Sequence, residues 1–149
     1  TQHNIFIRWT GYRARKRYTE EKIFTQEQVQ QLFLSINWVS GNYPKRLYKA
    51  LMNSSTVLTV WDGDFLVGLI RVLDDTEMLA QIHYVLVHPD YQGKGIASKM
   101  QEYIKEKYKD FMYLEVMPKD KNNVSFYKKN GFSLMENGVA MQICNDIHE

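Results

Sequence analysis

The chain has 149 residues with 44% hydrophobic content, enough for one sizeable core and too little for two, so a single domain over residues 1–149 is expected. A formal net charge of +2 with a pI near 8.5 is too mild for a nucleic-acid binder. The lone cysteine, Cys144, excludes an internal disulfide and fits a reducing, cytoplasmic setting; no apolar run reaches membrane-spanning length and the N-terminus lacks a signal-peptide layout.

Taken in chain order, Ile5 to Trp9 reads as a strand or a loosely attached extension, and residues 1–24 offer the weakest pattern. The run Arg13-Ala14-Arg15-Lys16-Arg17 reads as a solvated face or tail rather than a nucleic-acid patch. Thr25-Gln26-Glu27-Gln28 opens a helix whose stripe is Val29, Leu32, Phe33, Ile36 and Val39, ended by Gly41 and Pro44. A second helix spans Pro44 to Met52. Strands follow at Thr56 to Trp61 and Phe65 to Leu73, joined through Asp62-Gly63, then a turn at Asp74 to Glu77 and a strand from Leu79 to His88. A helix from Ile96 to Tyr108 and a strand from Phe111 to Met117 come next. The last segments, Ser133 to Met135 and Val139 to Cys144, read as a hairpin through Asn137-Gly138.

The stretch Val87-His88-Pro89-Asp90-Tyr91-Gln92-Gly93-Lys94-Gly95-Ile96-Ala97 carries the most chemistry, because an apolar strand runs through a glycine-broken turn straight into a helix. Glycines that accept positive φ let successive N–H groups aim at one anion, and the helix start adds unpaired N–H groups and the positive end of its dipole. A Walker A loop requires a Gly upstream of Gly93-Lys94 and a Ser or Thr after it, where this chain has His88 and Gly95. A dinucleotide fingerprint fits poorly as well, since Gly93-x-Gly95-x-x-Ser98 follows strands of antiparallel appearance.

What remains is Q-x-x-G-x-A, Gln92 through Ala97, after the strand His83-Tyr84-Val85-Leu86-Val87. Downstream stands Asn123-Val124-Ser125-Phe126-Tyr127-Lys128-Lys129-Asn130-Gly131-Phe132. Together, in this order, with one helix and one strand between them, these motifs resemble the GCN5-related N-acetyltransferases (GNAT family) over roughly Leu32 to Cys144. The run Gly68 to Asp75 with Tyr91 to Gly95 also resembles a small-amine subgroup that includes aralkylamine acetyltransferases. The resemblance implies an α+β fold: a central, mostly antiparallel mixed sheet, splayed at the cofactor site and flanked by about four helices. It implies transfer of an acetyl group from acetyl-CoA to a primary amine, without a metal and by direct transfer in a ternary complex. Dimers are common among similar proteins. Two other readings are a protein or peptide N-acetyltransferase and a non-catalytic acetyl-CoA sensor of the same fold.

By the same resemblance, the pyrophosphate is gripped by backbone N–H groups of Gly93, Lys94, Gly95, Ile96 and Ala97, with the Gln92 side chain as a further partner and Lys94 adding charge. Asn123 and Phe126 of the closing helix also face the cofactor. The Val85 N–H stabilises the negative oxygen that develops during transfer, Val87 pairs with the pantetheine amide, and Tyr127 protonates the leaving thiolate. A phenol keeps its proton at neutral pH. Relatives that carry a catalytic Glu have it where this chain has Gln81. His83 is the better base candidate, at the place of a His in the aralkylamine enzymes, and strand alternation puts Gln81, His83, Val85 and Val87 on one face unless a bulge intervenes. The bland alternative is a half-buried, satisfied histidine; Glu77, Asp74 and Asp75 are other bases, although acids beside a turn are usually turn formers. Asp120 stands where relatives often carry an Asn and reads as an N-cap. The acceptor amine is expected between the loop from Trp38 to Pro44, where Trp38 and Tyr43 offer rings, and the Glu136-Asn137-Gly138 turn, with Asp74 and Glu77 attracting a cation. Cys144 lies away from both motifs, so an acetyl-cysteine route is not expected.

Overall fold

A computed structural model describes the backbone of residues 4–7 and all of residues 16–145. Six strands form one sheet in sequence order: β1 (Asn4–Ile7), β2 (Lys16–Thr19), β3 (Thr56–Asp62), β4 (Phe65–Asp74), β5 (Leu79–Val87) and β6 (Tyr113–Val116). All neighbours are antiparallel except β5 and β6, which run parallel. Helices α1 (Gln26–Ser35) and α2 (Pro44–Met52) cover one face; α3 (Ile96–Lys107) covers the other, and the short α4 (Val124–Lys129) follows β6.

Local chemistry accounts for these elements. Thr25 closes a capping box with Gln28, the Thr25 hydroxyl accepting from the Gln28 N–H at 3.1 Å while Gln28 Oε1 accepts from the Thr25 N–H at 2.9 Å. The helix stops at Ser35, earlier than its apolar stripe suggests, because Asn37 takes φ +60°; Val39 is then 67% exposed in a 3₁₀ turn and Ile36 packs only at the edge. Pro44 occupies the first turn of α2, where a missing N–H costs nothing. Gly63, at φ +60°, makes the expected turn between β3 and β4.

Two apolar clusters share the sheet. Val57, Trp61, Leu66, Leu69 and Leu86 meet Val29, Phe33, Leu47 and Leu51 of α1 and α2 on one face. On the other, Leu58, Val60, Ile70, Val72, Ile82 and Val87 meet Ile96, Met100 and Ile104 of α3. The start of α3 approaches β4 closely at Gly68, where a Cβ would stand 3.2 Å from Ile96 Cγ2. Residues 16–24 are part of this framework: Tyr18 and Phe24 are buried, and Arg17 lies over the Trp61 ring. Of the basic run, Arg13, Ala14 and Arg15 lie outside the described residues, as does Trp9.

The expected C-terminal hairpin does not form. Gly138 N–H does bond the Met135 carbonyl at 3.0 Å, but residues 133–145 contain no strand and every one of them is exposed. A two-stranded pair with no third strand or helix to pack on is marginal in water.

One buried group is a mismatch. Gln101 is fully buried on α3 and neither its Oε1 nor its Nε2 has a hydrogen-bond partner among the described residues; the Tyr18 hydroxyl is in the same position. An unpaired buried amide costs about 1–3 kcal/mol. Gln101→Leu should therefore stabilise the fold by about 1 kcal/mol or more, raising Tm by roughly 2–4 °C per kcal/mol for a chain of this size. A calorimetric Tm equal to or below that of the parent would show that the amide has a partner after all.

Candidate functional site

The site begins where β5 loses a neighbour. Its parallel pairing with β6 runs from Leu79↔Tyr113 to Ile82↔Val116 and stops, while pairing with β4 continues to Gly68↔Val87. His88 N–H bonds the Val67 carbonyl at 2.8 Å, and in an extended strand the N–H and C=O of alternate residues point to opposite sides. The N–H groups of Val85 and Val87 therefore face away from β4, into the gap left by β6. Their side chains pack toward α3.

That gap is the mouth of a cleft of about 570 Å³. It is lined by Val85, Val87, the glycine turn, the start of α3 and, from α4 and the turn before it, Asn123, Phe126 and Tyr127. Gly93 and Gly95 have φ +77° and +84°, and a Cβ on either would meet nothing within 4 Å, so the demand for glycine is conformational and the space above the turn is open. Gly95 caps α3 without a side-chain acceptor, and no acid stands in the first helical turn, leaving the amide donors at that end for an anion.

Gln92 lines the cleft, and its Nε2 donates to the Val87 carbonyl at 3.0 Å, so the side-chain amide clamps the glycine turn to the end of β5. Tyr91 reinforces the turn by donating to Asp62 Oδ2 at 2.6 Å. Lys94 is exposed and is not part of the cleft lining. Asp120 caps the turn before α4, its Oδ1 accepting from the Asn122 N–H at 2.8 Å.

Tyr127 is buried to 8% exposure, and burial pushes its phenol above its ordinary value, so it stays protonated at neutral pH. Rings of Phe126 and Phe132 hold it edge-on. Among the described residues its hydroxyl has no hydrogen-bond partner, which leaves the O–H free to donate into the cleft.

A bulge rearranges the other candidates. Register shifts between Ile70↔Val85 and Val72↔Ile82, so His83 and Tyr84 together face the single residue Arg71, and Tyr84 takes φ +73°. The expectation that Gln81, His83, Val85 and Val87 share one face fails for this reason. Tyr84 and Leu86 pack toward α1 and α2, whereas Val85 and Val87 pack toward α3. His83 stacks beside Tyr84, ring centroids 4.3 Å apart, outside the cleft lining. Tyr84 is held by Phe33 at 4.9 Å between centroids and by a 2.6 Å hydrogen bond between its hydroxyl and Ser40 Oγ.

Arg71 Nη1 and His83 Nδ1 are 2.8 Å apart. A guanidinium only donates, so Nδ1 is the acceptor and neutral His83 carries its proton on Nε2. Burial first, and the Arg71 charge second, push the His83 pKa below its ordinary value. Arg71 itself is held by Ser54, its Nε donating to Oγ at 2.8 Å.

On the same side, Trp38 packs on Phe33 and Tyr84 and carries Lys119 over its ring at 4.7 Å, linking the loop after α1 to the segment after β6. Tyr43 is half-buried at the start of α2 and makes no ring contact with another described residue. Asp74 and Glu77 are not part of the cleft lining. Asp74 pairs with Ala80, seven residues from Val87, or roughly 23 Å along β5. Its carboxylate accepts from the Tyr108 hydroxyl at 2.6 Å, and Glu77 N–H bonds Asp75 in a turn that closes the far end of the sheet. Sequence reasoning missed Arg71, Ser40 and the Tyr84 conformation; nothing in the local pattern marks a bulge formed by two aromatic residues.

No metal-ligating cluster is present among the described residues, and none of their helices is long and apolar enough to cross a membrane. The model of the Acetyltransferase (GNAT) family matches residues 17–132. An uncharacterized ycf52-like N-acetyltransferase of Prochlorococcus marinus is 33% identical over 116 residues, covering 74% of this chain and 64% of that protein. The chain thus spans slightly less than two thirds of that relative's length. A probable acetyltransferase from methicillin-resistant Staphylococcus aureus superposes with a TM-score of 0.77 at 27% identity, over 87% of this chain and 99% of that one. A structure of AAC(6')-Iy in complex with the bisubstrate analogue CoA-S-monomethyl-acetylneamine has a TM-score of 0.67 at 10% identity, over 87% and 99%, which shows the shared fold. The family match spans the glycine turn, the splayed strand and the closing helix, and the chain belongs to the GNAT acetyltransferase family.

Proposed function

We propose that the protein transfers the acetyl group of acetyl-CoA to a primary amine of a small molecule, by direct attack in a ternary complex and in the cytoplasm. The observation that carries this reading is the convergence on one cleft of the free N–H groups of Val85 and Val87, the glycine-turn amides and the unpartnered Tyr127 hydroxyl. Two apolar clusters on one sheet support treating the described chain as one working unit.

Acetyl-CoA would supply a thioester carbonyl open to attack by an amine lone pair. The glycine turn holds the pyrophosphate through N–H groups from Gly93 to Ala97, and the Val87 N–H takes the next polar group along the chain toward the reacting end. Val85 N–H donates to the carbonyl oxygen as negative charge gathers there, a donor fixed by strand geometry before reaction begins. Tyr127 gives its proton to the departing sulfur and recovers one from solvent. Asn123 and Phe126 wall the cleft on the α4 side.

The acceptor enters from the face covered by α1 and α2, where Trp38, Tyr84 and His83 stand. His83 accepts the amine proton at Nδ1 once Arg71 releases that nitrogen. With Arg71 in place, the neutral form persists to lower pH than for an ordinary imidazole.

The chain, freed of copurified CoA, should gain about 2.7 kcal/mol with acetyl-CoA at a hundredfold excess over Kd, a Tm rise of roughly 5–10 °C, with no rise from ATP or NADH. No rise with acetyl-CoA would remove the proposal at its first step. Tyr127→Phe should lower kcat by about 10²-fold or more while acetyl-CoA affinity stays within about twofold; a kcat near that of the parent would strip Tyr127 of the acid role. Activity that depends on neutral His83 should rise with pH through its lowered pKa. Arg71→Gln removes a charge that opposes protonation, so the rising limb should move to higher pH, by less than the full shift because burial persists. A limb that stays in place in Arg71→Gln and survives in His83→Gln would assign the base elsewhere.

A further inference from the structure

Arg71 is fixed in place by its neighbours and neutralised by none of them. Its Nε donates to Ser54 Oγ at 2.8 Å, and that hydroxyl donates in turn to the Ala50 carbonyl at 2.7 Å, which ties the guanidinium to the end of α2. Its Cζ lies 5.4 Å from the centre of the Tyr84 ring, and its Nη1 bonds His83 Nδ1. Among the described residues no carboxylate pairs with it. A half-buried guanidinium ordinarily has an acid beside it, because taking its charge out of water is costly.

The acids of this part of the sheet are committed elsewhere or stand apart. Asp74 accepts from the Tyr108 hydroxyl. Leu114 and Val116 pack toward α3, so Glu115 between them faces the Arg71 side, opposite Gln81, yet it forms no ion pair with a described residue. A second cation stands nearby. Lys119 lies over the Trp38 ring, whose centre is 5.7 Å from that of Tyr84, and it too lacks a carboxylate partner among the described residues. Two adjacent rings, each with a cation on it, thus stand beside the candidate base.

This charge is the reverse of what a plain alkylammonium needs. Two cations repel it, and it finds the Nδ1 lone pair of His83 already spent on Arg71. An anion on the same molecule answers both points. A carboxylate or phosphate takes the guanidinium N–H groups in paired, charge-assisted hydrogen bonds, stronger than one bond to a neutral imidazole, and Nδ1 is left bare beside the amine.

We propose that the acceptor is an amine that also bears a carboxylate or phosphate a few bonds from its nitrogen, and that Arg71 binds this anion and thereby releases His83. The inference rests on the acetyl-transfer reading and names the acceptor within it. The ammonium loses two protons as its nitrogen bonds the acetyl carbon and the carbon–sulfur bond breaks. His83 Nδ1 takes one and passes it to solvent; the other, through solvent, replaces the one that Tyr127 gives to sulfur. With its charge offset by the anion, Arg71 also opposes protonation of His83 less than it does in the free chain.

The test compares acetylation of matched amines that differ in the anion: phenylalanine against phenethylamine, and O-phosphoethanolamine against ethanolamine, so that the two pairs separate a carboxylate from a phosphate. In one pair kcat/KM should be at least about tenfold higher for the anionic member. Arg71→Gln should bring that ratio to within about twofold of unity, and Arg71→Lys, which keeps the charge and loses the fork, should retain part of it. The His83 Nδ1 resonance, followed by nitrogen NMR, should move when the preferred anionic member binds the CoA-loaded chain and stay in place with its neutral counterpart, a response that a purely structural Arg71 would not give. Equal or better use of the neutral members, or a preference that survives Arg71→Gln, overturns the inference. So does the absence of transfer to both anionic members: if the neutral amines are still acetylated the acetyl-transfer reading stands without it, whereas loss of the acetyl-CoA-dependent Tm rise as well removes that reading too.

Discussion

Everything in the cleft depends on β5 being paired on both sides only as far as Ile82. A strand flanked throughout would spend the N–H groups of Val85 and Val87 on a neighbour and leave no room for a ligand. A strand free at both sides would lack the rigidity to aim them. Here β4 holds one edge of β5 to its end, and the loss of β6 exposes two fixed donors on the other. Both donors face an open cleft, where a carbonyl-bearing ligand could accept from them. The glycine turn follows within eight residues, which places anion donors and carbonyl donors on one continuous stretch of backbone.

The bulge at His83 and Tyr84 divides labour between the two faces of the sheet. A non-glycine residue at φ +73° costs on the order of 1–3 kcal/mol and persists only where its surroundings hold it. Phe33, Trp38 and the Ser40 hydroxyl supply that hold for Tyr84. By adding one residue opposite Arg71, the bulge turns Val85 and Val87 toward α3 while His83 stays on the side of α1 and α2. The Asp74 carboxylate, at the far end of the sheet from the glycine turn, serves a turn and the Tyr108 hydroxyl, and Glu77 lies in the neighbouring turn with its N–H bonded to Asp75.

Local signals were legible in the sequence where the physics is local. The Thr25 to Gln28 box, Pro44 at a helix start, Gly63 in a hairpin and Gly93 and Gly95 before α3 are each decided by residues within a few positions of one another. The paired motifs around Gly93 and Tyr127 likewise marked two walls of what is one cleft. Non-local features were hidden. Arg71 meets His83 only through strand register, the Gln92 amide turns back to Val87 because the turn folds over it, and no spacing rule reports that a bulge has moved His83. The alternation of Val139, Met141 and Ile143 reads as a strand, yet no strand forms there, because a local pattern cannot supply the neighbouring strand that it needs.

The two walls are also mechanically joined. Lys105, in the last turn of α3, donates to the carbonyl of Asn130 at 2.8 Å, and Asn130 in turn caps α4 through its side-chain bond to the Phe126 carbonyl at 2.9 Å. A cation at a helix C-terminus is already favoured by the dipole, and here one ammonium serves the end of α3 and fixes the end of α4. The N-terminus of α3 holds the glycine turn and its C-terminus holds the helix that carries Tyr127. Displacement of α3 would therefore carry the glycine turn at one end and, through Lys105, the end of α4 at the other, so both walls of the cleft depend on the placement of this one helix.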